Sequence, residues 1–282
     1  MLMCDKNISN EIRVSATGLI HSFVAPFDKE FWSGIKALER LIPKDRWYEE
    51  KKSLLASHKI DRDLLLLYDI SENDFNREKQ LILDEWEKKK KDACDRGTEI
   101  HKQLESSFKN GNIRFEQFGL GGKLDLVNDY SDLNLPRGAY SEYPIKWSDG
   151  FLTISGQIDL FVKDGADITV IDFKTNDAIK KKSASYSSAT KSSQKMLYPL
   201  NRYDNCNFNE YQLQVSLYAW MLKQLHQEFN IKRLMLCHID KANKWSIYDC
   251  EYLEHDIKNM IAYYSRKKKQ EIEINKMKPI IY

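Results

Sequence analysis

FLTISGQIDLFVKDGADITVIDFK, residues 151–174, holds two apolar runs on either side of a short polar linker, and how it folds decides the architecture. Side chains alternate between the faces of a strand, so residues two apart share a face. The run from Phe151 to Val162 reads as one strand and the run from Ile168 to Lys174 as another. Between them, Lys163-Asp-Gly-Ala-Asp167 is polar, and Gly165 supplies the backbone freedom of a tight turn, so a β-hairpin is the economical connection. That hairpin sets Asp159 beside Asp172, 13 residues further on. In the second strand Asp172 and Lys174 point one way and Phe173 the other.

Two ionised carboxylates at close range repel, and in a partly buried place one is driven towards protonation unless a cation intervenes. A hard divalent ion resolves that conflict: Mg²⁺ takes oxygen ligands, keeps several waters and commonly uses one or two carboxylates together with substrate phosphate. Such an ion lowers the pKa of a bound water and neutralises charge on phosphoryl oxygens, while an ammonium such as that of Lys174 orients the nucleophile or stabilises the same charge. The pattern therefore points to hydrolysis of a phosphodiester. Asp-x-Lys alone is more often a solvated strand edge, and Gly156-Gln-Ile-Asp159 alone says little. Both together, each inside an apolar strand pattern, are considerably more specific.

Downstream, Tyr211 to Leu222 reads as a helix with Leu213, Leu217 and Met221 on an apolar stripe. Gln214 and Tyr218 are four apart and share another face. With Gly156 and Asp159, Asp172 and Lys174, and Gln214 and Tyr218 in that order, the chain resembles the RecB-like branch of the PD-(D/E)xK nuclease superfamily. The resemblance covers residues 95–250 and includes an upstream helical histidine, for which Gly97-Thr-Glu-Ile-His101, with Glu105 one turn on, fits. The branch also often carries a Glu on the strand before Gly-x-x-Asp, and Glu142, in Ala139-Tyr-Ser-Glu-Tyr-Pro144, is the candidate.

The resemblance implies Mg²⁺ or Mn²⁺ held by Asp159, Asp172, the backbone carbonyl of Phe173 and His101. It implies Lys174 as catalytic base or water-orienting group, Glu142 in the catalytic set, and Gln214 and Tyr218 steadying the site or the DNA backbone. The architecture expected is α/β: a central mixed β-sheet flanked by helices, a restriction-endonuclease-like core over residues 113–282, behind a helical N-terminal portion, 1–112, that carries the helix of His101. The activity implied is that of a deoxyribonuclease, an exonuclease of phage or mobile-element type acting on single strands or DNA ends in recombination, repair or genome processing. A structure-selective or restriction-like endonuclease is the first alternative. An inactive nuclease-fold DNA-binding subunit is the second, and the intact acidic pair with Lys174 argues against it.

Each residue also has an ordinary role to fill. His101 lies among Ile100, Leu104 and Phe108, where a histidine is commonly a core or boundary residue. Glu105 reads equally as an exposed helix charge, Glu142 as a strand-surface residue, and Gln214 with Tyr218 as an amphipathic boundary. Gly121-Gly-Lys-Leu-Asp125 repeats the Gly-x-x-Asp spacing but stands 47 residues before Asp172 with no single hairpin to join them, so it reads as a loop or strand end.

With 282 residues and 42% hydrophobic content, the chain is able to bury a sizeable core. No apolar run approaches the roughly 18 residues that span a bilayer, and the start has no signal-peptide pattern, so a cytoplasmic protein without membrane contact is expected. Cys4, Cys94, Cys206, Cys237 and Cys250 are scattered, with no Cys-x-x-Cys, which suits reduced thiols. Some RecB-like relatives hold an iron–sulfur cluster with one upstream and three clustered downstream cysteines; this chain departs from that pattern, and no cluster is expected. A net charge of +2 does not establish nucleic-acid binding. Its distribution says more: Lys88–Lys91 is balanced by neighbouring acids, whereas Lys180–Lys182 with Lys191 and Lys195 follows the strand of Lys174 and is placed to collect phosphates. A further basic cluster is Arg266–Lys269. The chain lacks a P-loop, so a helicase partner, or a single-strand-binding one, would be another polypeptide.

Elsewhere, residues 1–14 read as a loosely held start and Ser15 as the cap of a first helix. The stretch from Phe31 to Phe108 is expected to be mostly helical, broken at Pro43 and at Ser71-Glu-Asn-Asp74, with strands from about residue 113 to 174. Asn176 to Gln194 is polar and serine-rich, a loop expected to act as a flap that orders on nucleic acid. Arg233 to Ile239 reads as a buried strand, Lys244 to Cys250 as its partner, and Leu253 to Tyr264 as a helix packing Ile257, Ile261 and Tyr264. His238 and His255 are expected to be structural or exposed.

Overall fold

Period-two alternation of Ile12 and Val14 with polar neighbours makes a strand of the segment that also opens the first helix. In the computed structural model, which describes residues 11–110, 115–120, 124–127, 130, 135–183, 186–187 and 192–277, β1 is Ile12–Ser15 and α1 is Ala16–His21. Ser15 Oγ accepts the Gly18 amide at 3.0 Å and caps α1, as its position predicts. The loosely held start is corrected here: residues 12–15 pair in parallel with residues 152–155, and residues 1–10 lie outside the described residues.

Four helices follow, α2 Lys29–Leu41, α3 Lys44–Ser57, α4 Arg62–Leu67 and α5 Glu72–Lys109. Pro43 separates α2 from α3, and the Ser71 hydroxyl, accepting the Asp74 amide at 3.0 Å, starts α5. Phe31, Ile35, Leu38, Ile42, Leu54 and Leu65 form a core of their own, against which Phe75 of α5 packs. The 38 residues of α5 reach about 57 Å at ~1.5 Å per residue. Its far end leaves that core and buries Leu104 and Phe108 against the sheet.

The strands are β2 Gly138–Ser148, β3 Leu152–Asp164 and β4 Asp167–Lys174, then β5 Tyr186–Ser187 and β6 Ser192–Ser193, then β7 Asn230–Ile239 and β8 Trp245–Cys250. Helix α6, Asn207–Leu225, precedes β7, and α7, Glu254–Met277, follows β8. The main sheet is mixed and six-stranded: β3 pairs with β1, β2 and β4, β4 runs parallel to β7, and β8 closes the order. The expected hairpin is β3–β4, with Asp164 opposite Asp167 and Gly165 at φ +65°. Among the described residues, the strands expected from about residue 113 begin at Gly138. Phe115–Phe118 is a 3₁₀ turn, and Leu126 makes a single bridge to Ala139. Residues 111–114 and 121–123, with much of the Gly121–Asp125 stretch, lie outside the described residues.

Residues of β4 divide between the two faces. Ile168 and Val170 join α1, α6 and α7 in one core, and Ile171 and Phe173 join the end of α5 in the other. The sheet is thus covered on both sides, which is why β4 and the second half of β7 are buried almost throughout. In the expected flap, β5 and β6 pair with one another; residues 184–185 and 188–191 lie outside the described residues. No described helix is long and apolar enough to cross a membrane.

Candidate active site

Strand β3 changes partner midway. Its ladder with β1 ends at Ser155 and its ladder with β4 begins at Leu160, so residues 156–159 lie in a fork between the two. On the other edge, β2 pairs regularly from Gly138 to Ser148 except at Glu142, which stands at φ +53°. A non-glycine residue held there costs roughly 1–3 kcal/mol, and such strain persists only where the surroundings impose it. The irregularity turns the strand over: Ile158 packs with the α6 side of the sheet, while Leu160, two residues on, packs with the α5 side. The Gly-x-x-Asp element occupies this fork.

Gly156 is required by close approach. A Cβ on it would lie 2.7 Å from Tyr218 Cε1, 3.1 Å from Tyr218 Oη and 3.3 Å from Ala16 Cβ. Gly156→Ala is therefore expected to displace Tyr218 and cost about 1–3 kcal/mol of stability, read from the urea midpoint. In combination with Tyr218→Ala the loss should be smaller than the sum of the two single losses. Additive losses would mean that Tyr218 is not what the glycine accommodates.

Continuing the β3–β4 register by one pair sets Asp159 opposite Asp172. Asp159 Oδ2 accepts the amide of Phe173 at 2.7 Å, and its Oδ1 lies 3.7 Å from His101 Nδ1. Glu142 Oε1 lies 3.6 Å from the same nitrogen. His101, Glu142 and Asp159 each offer an atom within 4.8 Å of the others. Asp172, only 2% exposed, faces Lys174 instead, with Oδ2 at 2.7 Å from Nζ but receiving no well-directed hydrogen bond. Lys174 Nζ also donates to Gln214 Oε1 at 3.1 Å, and Gln214 Nε2 lies 3.3 Å from Tyr218 Oη. Sequence-singled residues from α5, β2, β3, β4 and α6 thus meet around the fork. Phe173 contributes its amide to Asp159, while its ring packs between Phe108, Phe118 and Trp245 on the opposite face.

The electrostatics have one sense. Burial, then the neighbouring charge of Asp172, pushes the Asp159 carboxyl up to about 7. Burial would depress the Lys174 ammonium, but Asp172 and Asp159 overcome it and hold it above its ordinary value. The hydrogen bond to Glu142 raises His101 against the effect of its own desolvation, with help from Asp159. Acids crowded in a dry place, one carrying an oxygen without a hydrogen bond, form a donor set that suits a hard divalent cation. The residues therefore fit the ion that the sequence pattern implies.

Two other participants, Tyr211 and Arg96, gave no sequence signal. Tyr211 lies under Lys174, with the ammonium 4.5 Å from its ring centroid. Arg96, five residues before His101 on α5, donates to the carbonyls of Thr175 and Asp240. His238 is buried, as a structural role requires, with Nε2 2.6 Å from the Asn176 carbonyl. Two consecutive carbonyls after Lys174 are thereby held, and α5 is tied to the end of β4. Glu105 pairs with Lys109 at 2.6 Å, and it lines, with His101, Glu142, Gln157 and Lys102, a cavity of ≈ 450 Å³ beside the fork.

A family model described as the PD-(D/E)XK nuclease superfamily matches residues 37–274. The chain belongs to the PD-(D/E)XK nuclease superfamily. No curated protein matches it. A solved structure described as "Crystal structure of SSO0001" is similar over 93% of this chain and 79% of its own, at 14% identity and a TM-score of 0.37. The PD-(D/E)XK assignment implies a metal-dependent nuclease with DNA as its substrate, and among the described residues His101, Glu142 and Asp159 form a group close enough to share a metal ion.

Proposed function

We propose that the protein is a deoxyribonuclease of the RecB-like branch that hydrolyses DNA from its ends, with Mg²⁺ or Mn²⁺ held at the fork of β3. One observation carries this reading: Asp159 accepts the Phe173 amide one register step beyond the β3–β4 ladder, next to Asp172, which has Lys174 at 2.7 Å. Asp159, Asp172 and the Phe173 carbonyl would hold the ion, with His101 as a further ligand and Glu142 beside it. When bound, the ion supplies charge neutralisation at the phosphate and a more acidic water. Lys174 has three N–H donors; one goes to Gln214, and the ammonium stands 2.7 Å from Asp172 Oδ2 as an ion pair without a well-directed hydrogen bond. A donor not given to Gln214 would orient the attacking water or meet a phosphoryl oxygen. Gln214 fixes the ammonium and is itself fixed by Tyr218.

His101→Ala tests the ligand set. Partners one shell further from a metal are worth ~10–100-fold in affinity, so losing a direct ligand should weaken Mn²⁺ binding at least tenfold in a calorimetric titration. Unchanged affinity would return His101 to a packing role.

The activity itself is tested with purified protein, Mg²⁺ or Mn²⁺ and end-labelled single strands, duplexes and closed circles, with EDTA as control. Linear substrates should be degraded in a metal-dependent way and circles should survive. Cleavage of closed circles would replace the end-dependent reading with an endonuclease, and no cleavage of any substrate would overturn the nuclease.

A further inference from the structure

We propose that the cavity between α7, α6 and the β2–β3 turn is a second nucleic-acid contact, holding nucleotides of the substrate strand away from the bond that is cut. The inference rests on the nuclease reading above and adds to it a path for the strand.

The cavity has a volume of ≈ 510 Å³, and Trp147, Asp149, Trp220, Lys258, Arg266 and Lys269 are among its lining residues. Its walls carry three cations against one carboxylate. Lys258 is engaged by Glu254 at 2.6 Å. Arg266 and Lys269 make no ion pair among the described residues and instead stand over rings, Arg266 at 5.6 Å from the Tyr263 centroid and Lys269 at 4.8 Å from that of Phe151. Two cations without counter-ions beside aromatic faces are complementary to a chain of phosphates and bases.

Two tryptophans build the inner wall, Trp147 edge-on to Trp220 with centroids 4.8 Å apart. Trp220 is 5% exposed and its indole N–H has no acceptor among the described residues. A buried donor left without a partner is uncommon in folded proteins. Half-buried Trp147 offers the sequence-tolerant stacking surface used for single strands.

Position ties the cavity to the fork. Trp147 lies five residues along β2 from Glu142, or about 17 Å at ~3.3 Å per residue. That distance is covered by about five nucleotides stacked at ~3.4 Å. A strand cut at the fork reaches the cavity only if it is longer than this.

The test uses the full chain carrying Asp172→Asn, in EDTA, with fluorescence anisotropy of labelled oligothymidylates of 4 and 15 nucleotides. The 15-mer should bind tighter than the 4-mer, and the charge reversals Arg266→Glu and Lys269→Glu together should remove that advantage, weakening the 15-mer on the order of tenfold or more. Lys267→Glu, on the same helix but outside the cavity, should leave the advantage in place; circular dichroism and melting temperature establish that each variant folds. An undiminished length advantage in the double variant, or an equal loss in Lys267→Glu, overturns the proposal. Failure of the unsubstituted protein to cleave any DNA, by contrast, overturns the underlying nuclease reading and this contact with it.

Discussion

Asp172→Asn is expected to lower metal-dependent cleavage by roughly 10³-fold or more, since electrostatic stabilisation by the ion is worth several kcal/mol and each ~1.36 kcal/mol is a factor of ten. The amide keeps the shape of the carboxylate but loses the charge that a hard cation needs. Folding should survive, because two effects oppose each other. Lys174 loses its nearest counter-charge at 2.7 Å, and Asp159 loses the like charge that, after burial, raises its carboxyl to about 7. With Asp172 neutral, Asp159 remains to balance Lys174, so the metal-free variant should lie within about 1 kcal/mol of the parent. DNA binding in EDTA should persist. Retained metal-dependent cleavage would refute the site, and loss of folding would refute the compensation between Asp159 and Lys174.

Lys174→Ala should behave differently. Turnover should fall by about 10²–10³-fold, the range seen when one positioned donor to a developing charge is removed, with metal affinity changed far less. Stability should fall as well. The substitution leaves Asp172, 2% exposed, and Asp159 facing each other without an ammonium, and breaking a buried ion pair from one side costs about 3–5 kcal/mol. Divalent cation should restore much of that loss, so the melting temperature of this variant should rise with added Mn²⁺ more than that of the parent. An equal rise in both would show that Lys174 and the cation do not share the same acids.

The β3–β4 hairpin was legible because its evidence is local: alternating apolar residues, a two-residue turn with Gly165, and acids at matched register. The helix of Gln214 and Tyr218 was legible for the same reason, and its apolar stripe at Leu213, Leu217 and Met221 is fully buried. What escaped depends on partners far along the chain. Strand β1 is four residues long and exists through its ladder with β3, about which residues 12–15 carry no local information. The turnover of β3 at the fork follows from where β1 stops and β4 begins, and from the φ of Glu142, none of which has a residue signature. Arg96 sits in a charged run and looks solvated, yet its acceptors lie 79 and 144 residues away. The strands expected from about residue 113 err in the opposite direction, and Phe118, Leu124 and Leu126 fall in that stretch. They are apolar because they pack beneath α5 and the sheet, and they do so mostly from irregular backbone rather than from strands.

The central claim is that the fork of β3 captures a divalent cation between acids drawn from neighbouring strands. Anomalous diffraction from crystals soaked in Mn²⁺ tests it most directly. A peak touching the carboxylates of Asp159 and Asp172, within reach of His101, and absent from Asp172→Asn crystals, is the predicted result. Saturating Mn²⁺ that leaves no peak there, or that binds elsewhere while the protein still cuts DNA, would contradict it.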